Sequence, residues 1–191
     1  IEGYADPVVI MGGGYDEAAE APYTPASSTT MGNRIYVFDA LTGTLLREFG
    51  GTGVTNNDPI DRGVAADVSV MDSDYDGYVD RAYASDVHGN IYRIDFEVSK
   101  TCTPESATCG MTKDDWVIRQ VASLSTSTLK RKVFYPPDVV MTSGFAAIMV
   151  GTGDREKPLC GQGNAITPNC ATTADGVYTV YDTTGSRPAP N

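Results

Sequence analysis

The sequence predicts an all-β fold, a partial β-propeller of antiparallel blades with loop insertions. Three observations predict it. Short apolar runs alternate with glycine-, proline- and aspartate-rich turns, and no long amphipathic helix is visible. A strand motif recurs: Asn33-Arg34-Ile35-Tyr36-Val37-Phe38-Asp39, then Asn90-Ile91-Tyr92-Arg93-Ile94-Asp95, then Gly176-Val177-Tyr178-Thr179-Val180-Tyr181-Asp182. Before each copy lies an apolar strand ending in small residues or aspartate, at 8–14, 81–86 and 145–154. A small antiparallel sheet cannot cover its own faces, so copies of such a unit stack radially. The alternative is a plain β-sandwich with chance similarity. Propellers typically need four or more blades, and the motif marks about three here.

The elements follow in order. Val8-Val9-Ile10-Met11 is a strand running into the Gly12-Gly13-Gly14 turn. Residues 16–30, rich in Ala, Pro, Ser and Thr, form a surface insertion. Residues 34–39 and 44–49 are strands joined by the Leu41-Thr42-Gly43 turn, and 56–62 is a polar loop. Residues 64–71 form a strand leading into an acidic loop. Strands 81–85 and 90–96 flank the Val87-His88-Gly89 turn, and 116–123 is another strand. Pro136-Pro137 confines the strand pattern of 133–141 to an edge or breaks it. Residues 145–151 and 177–182 are the last strands. The propeller is assigned to 1–184, as part of a larger propeller, and 185–191 to a linker or tail.

The chain has 191 residues, of which 41% are hydrophobic and 20% charged, values of a globular protein. Its formal net charge of −11 leaves no basic stripe to neutralise phosphates, which excludes nucleic acid as a partner. The one basic cluster, Lys130-Arg131-Lys132, reads as a solvated loop. No apolar run is long enough to span a membrane as a helix, and no signal segment opens the chain. The chain is therefore expected to be a portion of something larger. Four cysteines, Cys102, Cys109, Cys160 and Cys170, allow three full pairings. Two local disulfides, 102 with 109 and 160 with 170, are expected to tie off surface loops, which implies an oxidising compartment. Zinc is disfavoured because no C-x-x-C spacing exists and His88 is the single histidine.

The chemistry concentrates in Asp72-Ser73-Asp74-Tyr75-Asp76-Gly77-Tyr78-Val79-Asp80. Carboxylates at positions 1, 3, 5 and 9 of a tight loop converge on one hard cation, and Gly77 at position 6 supplies the reversal. The expected ligands are the side chains of Asp72, Asp74, Asp76 and Asp80 and the main-chain carbonyl of Tyr78. Calcium is favoured over magnesium because the oxygen ligands are many and the loop is flexible. The loop departs from the EF-hand pattern: position 12 is Tyr83 rather than Glu, and both flanks read as strands. The alternative is a solvated acidic turn. Gly12-Gly13-Gly14 lacks the lysine and helix start of a phosphate loop. Residues 151–156 read as a strand exit able to hold a salt bridge. No Ser/His/Asp or Cys/His arrangement can be assembled, so no enzymatic role is expected.

The run from Asp72 through Asp95 resembles the calcium-loop segment of PilY-type proteins, the type IV pilus tip adhesins and biogenesis factors of Gram-negative bacteria. Residues 151–156 and 33–43 also look like that family. The resemblance spans about residues 6–182. It implies a quinoprotein-like modified propeller with calcium at positions matching Asp72, Asp74, Asp76, Tyr78 and Asp80. It implies a role in pilus extension and retraction, twitching motility and adhesion, without catalysis. Expected partners are pilin or minor pilins, and a host-surface ligand bound through the parent protein. The expected location is the cell surface at the pilus tip, or the periplasm. The rivals are a quinoprotein dehydrogenase propeller and a generic calcium-stiffened adhesion propeller. Against the first stand the lack of an adjacent cysteine pair and the single tryptophan, Trp116; against the second, the presence of the acidic loop in one blade alone.

Overall fold

The computed structural model describes residues 1, 4–17, 29–51, 58–97, 112–126, 130–155 and 175–184. Its strands are β1 (Val8–Gly12), β2 (Arg34–Asp39), β3 (Leu45–Gly50), β4 (Ser69–Met71), β5 (Arg81–Ser85), β6 (Asn90–Asp95), β7 (Val117–Ser123), β8 (Asp138–Met141), β9 (Ala146–Gly151) and β10 (Val177–Asp182). They form three antiparallel sheets, ordered β1-β2-β3, β4-β5-β6-β7 and β10-β9-β8. The partial propeller expected from the sequence is therefore the fold. The repeat coincides with the hairpins β1/β2, β5/β6 and β9/β10. Aligned on that repeat, the middle blade shows four strands, the first blade the last three of the pattern, and the third blade its first three.

Strand periodicity explains the stacking, because successive side chains point to opposite faces. In the middle blade Ala82, Ala84, Tyr92 and Ile94 point one way and join Ile35, Val37, Phe49 and Trp116 in one core. Tyr83 and Ile91 point the other way and join Val133, Ala146, Ile148 and Val150 in a second. All six residues of β6 are consequently buried. The outer faces of the end blades are not covered by the described residues. Val9 and Met11 on β1 are exposed, as are Val140 on β8 and Val177 and Tyr181 on β10.

One strand is shorter than its sequence predicts. Residues 64–68 stay outside the sheet, although Val64 and Ala66 are buried. Their segment spends its backbone on loops: Val64 N–H donates to Gly32 (3.0 Å), and Gly14 N–H donates to the Val64 carbonyl (3.0 Å). Gly12 is required beside it, since a Cβ there would lie 2.3 Å from the Val64 oxygen. Pro136-Pro137 does act as a breaker; β8 starts immediately after it and is an edge strand. The cysteines with their expected pairings, most of the 16–30 insertion and the 185–191 tail lie outside the described residues.

Candidate metal centre

The acidic loop joins β4 to β5. Asp80 N–H donates to the Met71 carbonyl (2.9 Å) and closes the neck. Inside it each aspartate takes up nearby backbone donors, as aspartates in turns do. Asp72 accepts from Tyr75 N–H (2.6 Å) and Gly77 N–H (2.9 Å). Asp74 accepts from Asp76 N–H (3.2 Å), and Asp76 from Tyr78 N–H (2.8 Å). The reversal puts Gly77 at φ 96° and Tyr75 at φ 66°. Glycine occupies that region freely, whereas tyrosine does so at a cost.

Asp80 differs from the others in burial: it is 2% exposed. Its Oδ2 accepts from Ser73 N–H and Ser73 Oγ, both at 2.5 Å. Burial pushes its carboxyl above the ordinary range, the two Ser73 donors oppose that, and the charges of Asp74 and Asp72 add to the rise. Carboxylate oxygens of Asp72, Asp74 and Asp80 lie within 4.8 Å of one another. The sequence-predicted set is thus gathered in three of its four carboxylates. Asp76 is not in that group; its Oδ1 accepts from the Tyr78 amide. The donor set is all oxygen and anionic, which fits a hard cation such as calcium.

The remaining candidates have structural occupations. His88 lies with Nε2 3.3 Å from Lys130 Nζ. Burial, then the charges of Arg62 and Lys130, lowers its pKa to about 4. Asp154, at the 151–156 strand exit, pairs with Lys132 (3.4 Å), and both side chains are nearly buried.

Sequence reasoning missed a second charged cluster, next to the loop. Arg93 contacts Asp95 (Nε to Oδ1, 2.9 Å) within the middle blade and Asp182 (Nη1 to Oδ2, 2.6 Å) on the third. Asp95 also meets Arg119 (3.0 Å) and Arg81 (3.5 Å). Tyr83 OH donates to Asp182 (3.2 Å). Burial, then the Asp182 charge, pushes the Tyr83 phenol up to about 12, so it stays a donor. A signal was present: counted back from the terminal aspartate of each copy, Val37 and Val180 stand where Arg93 does. A charge at an apolar repeat position marks a joint rather than a solvated face.

No curated protein matches the chain. The crystal structure of the Pseudomonas aeruginosa PilY1 C-terminal domain is similar in fold, with a TM-score of 0.64 at 19% identity. The match covers 94% of this chain and 34% of that one, so the chain spans about a third of the solved protein's length. A sequence model described as the PilY1 beta-propeller domain matches residues 8–125, well over half the chain, and the chain belongs to this family of type IV pilus-associated proteins.

Proposed function

We propose that this chain is the calcium-binding part of a propeller in a pilus-associated surface protein, and that calcium in the Asp72–Asp80 loop tunes pilus extension, retraction and adhesion. The observation that carries the reading is the convergence of Asp72, Asp74 and Asp80 within 4.8 Å. Three carboxylates so close repel one another, and a divalent cation offsets that repulsion and fixes the loop. In this reading the Tyr78 carbonyl and Asp76, directly or through water, complete the shell. The loop lies on a sheet edge and the exposed Tyr75 ring stands at its tip, so ordering it changes a surface that pilin or minor pilins could read. The role is regulatory and adhesive, with no catalytic step. The exposed apolar faces of the two end blades fit a place within a larger propeller, where further blades would cover them.

Calorimetric calcium titration, paired with thermal melts in calcium and in chelator, tests the reading. One site is expected. Calcium at about a hundred times its dissociation constant adds about 2.7 kcal/mol of stability. Asp72→Asn and Asp74→Asn should each weaken binding strongly. Asp76→Asn should weaken it less, because that carboxylate is not in the converging group. No heat and no shift in the melt would overturn the reading. With binding established, loss of calcium-dependent twitching in bacteria carrying Asp74→Asn would tie the loop to motility.

A further inference from the structure

The acidic loop and the buried arginine–aspartate cluster are neighbours in space and share a strand boundary. Asp80 ends the loop, and Arg81 begins β5. The Asp80 carbonyl accepts from Phe96 N–H (2.8 Å) and Glu97 N–H (3.3 Å), which fixes the end of β6 just beyond Asp95. Arg81 and Asp95 are register partners across β5 and β6, and their side chains meet at 3.5 Å. Asp95 in turn holds Arg93, and Arg93 reaches across the seam to Asp182 at the end of β10. Asp182 also accepts from the Thr184 amide (3.1 Å) and hydroxyl (2.7 Å), so the ion pair and the strand end are one local structure. On the far side of the loop, Ser69 of β4 hydrogen-bonds the Pro137 carbonyl just before β8. The strands on both flanks of the loop therefore contact the third blade, β4 through Ser69 and β5 through the Tyr83–Asp182 hydrogen bond.

We infer that the loop and the Arg93–Asp182 joint are one coupled latch: a divalent cation held by Asp72, Asp74 and Asp80 secures the third blade to the middle blade. The inference rests on the calcium reading of the loop and adds to it a path by which binding is felt elsewhere. The physical reason is the quality of geometry that a buried ion pair demands. Two charges removed from water repay their desolvation only when closely aligned. Arg93 and Asp182 are both nearly fully buried, with side chains 3% and 1% exposed. Their alignment depends on Asp95, whose strand end is set by the Asp80 carbonyl. Repulsion among the loop carboxylates loosens the neck at Met71 and Asp80, and that slack passes to Asp95 and Arg93. Cation binding removes it. The outer edge of β10 has no strand paired to it among the described residues. The joint restrains its C-terminal end, alongside the packing of Tyr178 and Val180 on the second core and the Arg131–Tyr178 hydrogen bond (2.7 Å) nearer its start. Coupling through such a path is reciprocal: whatever factor calcium contributes to closing the joint, the closed joint contributes to calcium affinity.

Hydrogen exchange of the intact chain, in calcium and in chelator, reads the joint directly, while calorimetry reads the metal. Calcium is expected to slow exchange of the 177–182 amides about tenfold, within the ~5–150-fold range of site-to-site couplings. The β1 and β2 amides, outside the path, should change far less. Asp182→Asn leaves Arg93 paired to Asp95 and should erase most of the added protection. It should also weaken calcium binding by about the same factor. Arg93→Met, which keeps bulk without charge, should behave likewise. If Arg93→Met does not fold, Asp182→Asn alone decides. Calcium binding with no change at β10, or with unaltered affinity in Asp182→Asn, overturns the latch while leaving the calcium site intact. A uniform gain in protection over β1, β2 and β10 also overturns it, because that is what global stabilisation produces. Absence of calcium binding overturns both readings.

Discussion

The middle blade has two faces, and they are joined to their neighbours by different physics. The seam with the first blade is apolar, with Ile35, Val37 and Phe49 meeting Ala82, Ala84, Tyr92 and Trp116. The seam with the third blade has an apolar centre around Tyr83, Ile91 and Ile148, but its edge is the Arg93–Asp95–Asp182 cluster. Burial of apolar area is non-directional and tolerates small displacements. A buried ion pair does not, because its Coulomb gain falls quickly as desolvated partners separate. The first seam thus resembles a domain core, and the second resembles a joint that can respond to a neighbouring charge.

The largest expected effect lies on the apolar side. Trp116 is fully buried and meets Phe96 edge to face at a centroid distance of 5.2 Å. Trp116→Ala should cost about 3–5 kcal/mol of stability, the range for deleting a large buried aromatic. Urea denaturation midpoints measure it, and a loss within a few tenths of wild type would show that the seam is not a core. Arg93→Ala comes next. It strands Asp182 in the seam, but Arg81 and Arg119 remain beside Asp95, so about 3 kcal/mol is expected, the low end for breaking a buried pair. Acid separates the two variants. Burial would raise the Asp182 carboxyl, but the Thr184 hydroxyl and the Arg93 guanidinium outweigh it and hold it below the ordinary 3.8. The unfolded chain takes up that proton near 3.8 and the folded chain only at lower pH. The Asp182 contribution is therefore complete above 3.8 and is lost as pH falls through the folded value. The gap between wild type and Arg93→Ala should shrink over that window, and the Trp116→Ala gap should not.

The same contrast explains what the sequence reveals and what it hides. Strands β2, β5 and β10 can be read to the residue because alternation and turn signals coincide at their ends, as at Asp39 before Leu41-Thr42-Gly43. The Asp39 carboxylate accepts from the Leu41 and Thr42 amides, a local bond that the sequence itself announces. The shortening of β4 could not be read, since Val64 is apolar in either setting and the decision falls to Gly32 and Gly14, far away in sequence. In the acidic loop the spacing announces a cation site. Which carboxylates converge is set by the folded turn and not by spacing or by amide bonds, since Asp72 and Asp74 accept such bonds as Asp76 does, yet only they face Asp80. The joint was hidden for the opposite reason. Arg93 and Asp95 look like the solvent face of an alternating strand until the third blade covers them.

The smallest expected effect belongs to the other end of the middle blade, where His88 sits in the β5–β6 turn. Its neighbours come from both sides: Arg62 precedes β4, and Lys130 lies between the middle and third blades. Burial, with those two cations, keeps the folded imidazole neutral down to about 4, against 6.5 for a free histidine. The unfolded chain binds the proton first, so stability falls as pH drops below 6.5 and the loss levels off below about 4. His88 is partly buried, and the remaining solvent screening reduces its share to about 1 kcal/mol or less. Asp86 complicates the raw curve, because burial raises its carboxyl and gives it the opposite slope. Its backbone contacts, from the His88 and Asn90 amides, do not depend on the residue-88 side chain. Comparing wild type with His88→Gln therefore cancels it. Thermal melts at pH 7, 5.5 and 4.5 should show the wild type losing more than the glutamine variant. Parallel curves would mean that the turn admits water and that the two cations are screened from the ring. The charge-sensitive behaviour of the blade would then be confined to the edge that carries Arg93 and the acidic loop.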